Sequence, residues 1–213
     1  MDNRYVWYAA YGSNMHRARL VRYLDGCRDR AAPRASRAVE LDGVLYFATE
    51  SAVWGGGRGF YDPDAAGRAF ARAHLISGGQ FSDIAALEMY GEPGADLDLA
   101  EVVARGRVAF GPGRYETVVC AGELDGRPLL TLTAPWALAE VELRPPSEAY
   151  LRHLAAGLRE SGAWTDQEIA RYLAGRPGAA GTWTPPDVLA LLDLSETSPA
   201  SPPPPAPPPP PGT

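Results

Sequence analysis

A short aromatic strand that turns through a glycine into a helix is the feature that most constrains this fold. Residues 5–11 have the sequence Tyr-Val-Trp-Tyr-Ala-Ala-Tyr and are followed by Gly12, Ser13 and Asn14. A short apolar run that ends at a turn signal is typical of a buried strand. Glycine permits a sharp exit from such a strand, and Ser13 or Asn14 is suited to cap the helix that follows.

This junction is also a candidate anion site. Backbone N–H groups at the start of a helix point in one direction, and the helix dipole favours negative charge there. The backbone of residues 12–14 is therefore suited to bind a carboxylate or a phosphate. An ordinary strand–turn–helix connection without a ligand is the alternative interpretation.

The composition excludes several classes of protein. A chain of 213 residues is long enough for one sizeable core, and its net charge of −6 argues against nucleic acid as the main partner. The two cysteines, Cys27 and Cys120, lie far apart and form neither a metal-binding motif nor a disulfide framework. No apolar run approaches the length of a membrane span, and the first residues lack the apolar region of a signal peptide. We expect a cytoplasmic protein.

Strand and helix patterns alternate along the chain. Strands are predicted in residues 39–49 (with a turn at Asp42-Gly43), 68–76, 116–121 and 129–133, the last two joined by the hairpin turn Asp125-Gly126. Helices are predicted in residues 15–24, 80–90, 96–105, 146–160 and 165–173, and residues 77–80 have the spacing of a capping box that opens the second of these. The glycine-dense residues 54–59 favour a flexible hairpin or a close backbone approach over a phosphate-binding loop. This order predicts a mixed α+β domain over residues 1–194, with a closed or strongly curved sheet (a small barrel) surrounded by helices.

The last part of the chain has a different composition. Residues 195–213 are dominated by proline, serine and alanine. Such a segment cannot bury apolar surface, so we predict a disordered or polyproline II tail. A solvated tail is the simpler interpretation, and a weak interaction with an aromatic groove of a partner is the alternative.

One acidic residue falls on an apolar helix face. In the helix predicted over residues 80–90, Phe81, Ile84, Ala85 and Glu88 follow the i, i+3, i+4, i+7 spacing, whereas Asp83 is expected on the opposite face. A carboxyl group that faces a core has its pKa raised by desolvation, as a general acid/base near neutral pH requires. The alternative is a glutamate whose stem packs against the core while its head group reaches water.

The glycine junction resembles a known family. The residues Tyr8-Ala9-Ala10-Tyr11-Gly12-Ser13-Asn14-Met15 closely resemble the N-terminal signature of the γ-glutamylcyclotransferase (AIG2-like) family. The likeness spans about residues 5–173. It continues, in the family's order, through Trp54-Gly55-Gly56, Asp62-Pro63, Gly113-Arg114-Tyr115 and Pro146-Ser147-Glu148-Ala149-Tyr150.

The resemblance implies a reaction and a site. In this family the α-amino group of a γ-glutamyl unit attacks its own side-chain amide, which closes 5-oxoproline and releases an amine or amino acid. No metal or cofactor is required. The resemblance assigns Glu88 as the catalytic residue, the loop Gly12, Ser13 and Asn14 as the site of the substrate carboxylate, and Tyr11 and Tyr115 as residues that line the pocket or orient the catalytic carboxyl group.

Two departures from the family pattern accompany this resemblance. The family usually has Glu-Gln-Glu-Gly around the catalytic residue, where this chain has Ala86-Leu87-Glu88-Met89. Residues 90–113 look like an insertion beside the site. Two alternatives therefore stay open: a catalytically silent ligand-binding or interaction module, and a cyclotransferase specific for γ-glutamylamines or for one pathway. The sequence does not identify the leaving amine.

Overall fold

The structure, a computed structural model, describes residues 4–197 as a mixture of strands and helices. Its strands are β1 (Tyr5–Ala10), β2 (Ser36–Asp42), β3 (Val44–Glu50), β4 (Gly57–Asp62), β5 (Arg68–Ser77), β6 (Arg107–Ala109), β7 (Thr117–Leu124) and β8 (Arg127–Thr133). Its α-helices are α1 (Arg17–Gly26), α2 (Gly78–Glu88), α3 (Leu99–Arg105), α4 (Glu148–Ser161), α5 (Asp166–Ala174) and α6 (Pro185–Thr197). Short 3-10 helices occur at Ser13–Met15 and Leu138–Glu140. Residues 198–213 of the predicted proline-rich tail lie outside the described part of the chain.

Strand β1 lies inside a mixed six-stranded sheet with the order β2-β5-β1-β8-β7-β6. It pairs antiparallel with β5 and parallel with β8. Its residues Val6 to Ala10 are all buried, as the continuous apolar run predicted. The α+β class is thus confirmed. The predicted closed sheet is not confirmed, because β2 and β6 form the two edges of the sheet.

Strands β3 and β4 form a separate antiparallel hairpin that packs beside the end of β8. The hairpin is joined to β8 through the side chain of Thr133 and not through a ladder of backbone hydrogen bonds. The backbone N–H of Tyr61 donates to the hydroxyl oxygen of Thr133 over 3.2 Å, and that hydroxyl donates to the carbonyl oxygen of Tyr61 over 2.5 Å. The hairpin therefore extends the core without closing the large sheet.

The glycine-dense segment ends in strand β4, and its glycines permit a close backbone approach, which was one of the two expectations. A Cβ atom on Gly57 would lie 2.0 Å from the carbonyl oxygen of Arg144. The N–H group of Gly57 also donates to the carbonyl oxygen of Pro145 over 2.7 Å. Only glycine leaves room for this contact, which attaches the hairpin to the segment that precedes α4.

Most predicted elements are present, with shifted ends. The predicted capping box at the start of α2 is confirmed, with Ser77 and Gln80 bonding to each other's backbone N–H groups. Pro146 was predicted to begin α4, but the N-cap is Ser147, which accepts from the N–H of Tyr150 over 3.2 Å. Strands β4 and β6 and helix α6 were not predicted. Helix α3 and strand β6 occupy the segment 90–113.

Asp83 differs from the sequence expectation, because the structure buries it to 1% exposure. Its carboxylate accepts from the backbone N–H of Arg28 over 2.9 Å and from the guanidinium Nε of the same residue over 2.8 Å. Arg28 follows α1 closely, so this pair joins the end of α1 to the middle of α2. A helical wheel does not show this partner, because it comes from another segment of the chain.

We expect Asp83→Ala to lower the free energy of unfolding by about 1–3 kcal/mol, because two donors on Arg28 would lose their acceptor. Urea denaturation followed by circular dichroism measures this change. The control is Asp64→Ala, which removes an exposed ion pair with Arg107 and should cost about 1 kcal/mol or less. Equal losses in the two variants would contradict a buried role for Asp83.

Candidate active site

Glu88 is the last residue of α2, and the geometry of the sheet explains where its side chain lies. Strand β5 runs antiparallel to β1, with Ser77 opposite Tyr5, and α2 begins at once and packs back along both strands. Its 11 residues span about 16 Å, close to the roughly 20 Å length of β1. The C-terminal end of α2 therefore reaches the loop that follows β1.

Asn14 connects this loop to Glu88. The side-chain amide of Asn14, 2% exposed, donates to Glu88 Oε1 over 3.0 Å and to the hydroxyl oxygen of Tyr8 over 3.2 Å. The predicted capping role of Ser13 or Asn14 is wrong. Helix α1 begins at Arg17, and its N-cap, His16, makes no side-chain cap bond. Ser13 and Asn14 belong to a 3-10 turn that precedes α1, and the Asn14 side chain bonds to Glu88 instead.

Burial raises the pKa of the Glu88 carboxyl group above its ordinary value. The positive charge of Arg19, a hydrogen bond with Tyr23, the charge of Arg114 and the Asn14 hydrogen bond act in the opposite direction without cancelling the effect of burial. The position at the C-terminal end of α2 also disfavours a negative charge, since helix dipoles are negative there. Glu88 therefore keeps its proton to a higher pH than an exposed glutamate and can exchange it with a ligand.

Two cavities meet at Glu88. The first cavity contains all the residues assigned to the site from the sequence: Tyr11, Gly12, Ser13, Asn14, Glu88 and Tyr115, together with Tyr8, Gly59, Leu132 and Tyr150. The second cavity shares three of these side chains with the first, namely Glu88, Tyr115 and Tyr150, and is otherwise lined by residues such as Arg19, Arg58 and Arg114. A molecule that spans both cavities would pass the Glu88 carboxyl group.

The tyrosine side chains at the cavity wall are fixed by backbone groups. The hydroxyl of Tyr11 donates to the carbonyl oxygen of Leu132 over 2.7 Å, and that of Tyr115 donates to the carbonyl oxygen of Gly59 over 2.8 Å. The N–H of Gly59 donates to the hydroxyl oxygen of Tyr150 over 3.2 Å. Burial raises the pKa of all three phenols, that of Tyr150 to about 12. Tyr11 and Tyr115 are thus neutral wall residues.

Gly12 provides space in the first cavity. Its backbone angles, φ −109° and ψ −147°, lie outside the left-handed region, so the chain does not need glycine for conformational freedom there. A Cβ atom at this position would lie 3.5 Å from the hydroxyl oxygen of Tyr150, inside the cavity that both residues line. Any larger side chain would therefore fill part of this cavity.

Two of the three histidines lie beside the loop, and their rings stack on each other. The rings of His16 and His153 stack at 4.7 Å, and His153 Nε2 lies 3.1 Å from the carbonyl oxygen of Ser13. His74 Nδ1 lies 2.8 Å from the hydroxyl of Ser36. Burial is the main cause that lowers the pKa of His74 and of His153 to about 3, so both rings are neutral. His153 contacts the loop and His74 contacts Ser36 on β2, and neither ring supplies charge.

Several residues that line the two cavities were not predicted from the sequence, namely Tyr8, Arg19, Tyr23, Trp54, Arg58, Arg114 and Tyr150. Tyr8, Trp54, Arg114 and Tyr150 were part of the family-like motifs, which was the one available signal for them. Arg19 and Arg58 had none, because α1 and β4 are far apart in the chain and only the tertiary structure brings them to one cavity.

The raised pKa of Glu88 predicts a pH-dependent effect of Glu88→Gln on stability. In the unfolded chain this glutamate ionises near its ordinary value of 4.5, and in the folded protein it ionises at higher pH. Wild-type stability should therefore fall, relative to the glutamine variant, as the pH rises from 4.5 through the folded pKa. Urea denaturation at pH 4.5 and at about pH 8 tests this. The same difference in unfolding free energy between wild type and variant at both pH values would contradict the raised pKa.

The comparisons with known proteins concern the fold. No protein-family model matches the chain. The chain is 28% identical over 200 residues to histone deacetylase 5 of Arabidopsis thaliana, a match that covers 79% of this chain and 30% of that protein. The chain thus spans less than a third of the length of this relative.

Two solved structures are similar to it. An uncharacterized protein from Homo sapiens has a TM-score of 0.51 and 17% identity, with 88% of this chain and 99% of that chain covered. A structure named γ-glutamyl cyclotransferase has a TM-score of 0.49 and 18% identity, with 87% and 98% covered. Within residues 4–197 no helix is both long and apolar enough to cross a membrane. At 17% identity, the match to the human structure shows a similar fold alone.

Proposed function

We propose that the protein is a γ-glutamylcyclotransferase-type enzyme, which cyclises a γ-glutamyl unit to 5-oxoproline and releases an amine or amino acid. One observation carries this proposal: the carboxyl group of Glu88, with its raised pKa, is held by Asn14 at the point where two cavities meet. A desolvated carboxyl group destabilises a fold, and a silent binding module would have no use for it.

The first cavity suits the glutamyl unit. Its wall includes the backbone of Gly12, Ser13 and Asn14, whose N–H groups are suited to donate hydrogen bonds to the α-carboxylate. The buried Oδ1 of Asn14 has no hydrogen-bond partner within residues 4–197. This oxygen can accept a hydrogen bond from the substrate ammonium group, so that both charged groups of the amino acid end would be bound by one loop.

The proposed chemistry needs one proton-transfer group. Glu88 in its ionised form takes a proton from the substrate ammonium, and the free amine attacks the γ-amide carbonyl carbon of the same molecule. The C–N bond to the leaving amine then breaks as Glu88 returns the proton to that nitrogen. The second proton that the ring nitrogen must lose passes through Glu88 to the released amine, which leaves as an ammonium ion. Since nucleophile and carbonyl belong to one substrate, holding it in a folded conformation provides much of the acceleration. The proton transfer provides the rest.

We expect Glu88→Gln to lower turnover by about 100-fold or more, since the amide keeps the shape but cannot transfer a proton. The assay incubates the enzyme with γ-glutamyl dipeptides, glutathione and γ-glutamylamines and detects 5-oxoproline by mass spectrometry. Asp64→Ala, which changes only an exposed ion pair, is the control. Near wild-type turnover in the folded glutamine variant would exclude Glu88 as the catalyst.

The loop assignment has its own test. A γ-glutamyl substrate whose α-carboxylate is amidated keeps the nucleophile and loses only the anion, so we expect its kcat/KM to fall by about tenfold or more. Ser13→Ala should have a smaller effect on the parent substrate, because the backbone donors remain. Equal kcat/KM for the amidated and parent substrates would contradict an anion site at residues 12–14 and leave the role of Glu88 unaffected.

A further inference from the structure

The second cavity contains an unusual concentration of positive charge. Arg19, Arg58 and Arg114 line it, and among the described lining residues Glu88 is the one acidic side chain. One carboxyl group carries at most one negative charge, so Glu88 does not balance the guanidinium groups around this cavity. The wall is otherwise aromatic, apolar or neutral, with residues such as Tyr23 and Trp54.

Among the residues that the structure describes, no carboxylate pairs with Arg58. One of its terminal nitrogens donates to the backbone carbonyl oxygen of Glu50. The Glu50 carboxylate is engaged elsewhere, since it pairs with Arg144 at 2.6 Å and accepts from the N–H of Gly56 over 2.9 Å. The Nε atom of Arg58 is buried and has no hydrogen-bond partner within residues 4–197. A buried donor without an acceptor is costly, and a ligand oxygen would satisfy it.

Arg114 and Arg19 are positioned by aromatic rings. The guanidinium carbon of Arg114 lies 4.9 Å from the ring centre of Tyr90, and a terminal nitrogen donates to the backbone carbonyl oxygen of Glu88 over 3.3 Å. The guanidinium carbon of Arg19 lies 5.3 Å from the ring centre of Tyr23 and 5.8 Å from the ring centre of Trp54. At Arg114 the ring face and the backbone carbonyl orient the guanidinium group without neutralising it.

We infer that this cavity receives the leaving group of the substrate, and that the leaving group carries a carboxylate bound by Arg58 and Arg114. The inference rests on the proposed function and deepens it. When the glutamyl unit lies in the first cavity, the leaving nitrogen lies beside Glu88 and its substituent lies in the second cavity. Guanidinium groups bind carboxylates through paired, charge-assisted hydrogen bonds. The substrates are then γ-glutamyl amino acids or peptides, and γ-glutamylamines are poor substrates.

A matched pair of substrates tests this inference. γ-Glutamyl-alanine and γ-glutamyl-ethylamine differ only by the carboxylate of the leaving group. We expect wild-type kcat/KM to be about tenfold or more higher for the alanine substrate. In Arg58→Gln, and separately in Arg114→Gln, the loss should be several-fold larger for the alanine substrate than for the ethylamine substrate. Arg107→Gln, at an exposed ion pair on β6, is the matched control and should keep the wild-type preference.

The outcomes separate the inference from the proposed function. Equal wild-type kcat/KM for the two substrates would overturn the inference and leave the cyclotransferase activity intact. Equal losses for both substrates in the two arginine variants would also overturn it, because the guanidinium groups would then act on the glutamyl unit or on the fold. Failure of the wild type to form 5-oxoproline from either substrate would overturn the proposed function itself. The wild-type comparison needs no variant, so a folding defect in one variant does not affect it.

Discussion

The hydrogen bond between Asn14 and Glu88 is the contact on which the candidate site depends. It joins the loop after the central strand to the end of a helix that lies 74 residues further along the chain. The two ends meet because β1 and β5 are antiparallel and α2 returns along them with a length close to that of β1. A change in the register of these strands or in the length of α2 would separate the two groups.

The site also gathers polar groups that the fold alone leaves unsatisfied. The Oδ1 of Asn14 and the Nε of Arg58 are buried without a hydrogen-bond partner in the described part of the chain, and the Glu88 carboxyl group is desolvated. Most buried polar groups in proteins are paired, so each such group calls for an explanation. The proposed substrate, which carries charges at both ends, would explain their position around two adjoining cavities.

Local sequence patterns predicted the elements that depend on neighbouring residues. The apolar run of β1, the capping box at Ser77 and the turn at Asp125-Gly126 between β7 and β8 all involve residues close together in the chain. Strand β4 was missed because its glycines are selected by contact with Arg144, which is remote in sequence. Asp83 was misplaced for the same reason, since its partner Arg28 belongs to another segment.

The sequence by itself determined the strand–glycine junction and, through the 3.6-residue period of an α-helix, the place of Glu88 on the apolar face of α2. It also carried the motifs by which the chain resembles the γ-glutamylcyclotransferase family. Only the tertiary structure decided that Asn14 holds Glu88 instead of capping α1, that Gly12 keeps cavity space open, and that three arginines share one cavity. Helical periodicity and capping act over a few residues, whereas these features require packing between segments that are far apart in the chain.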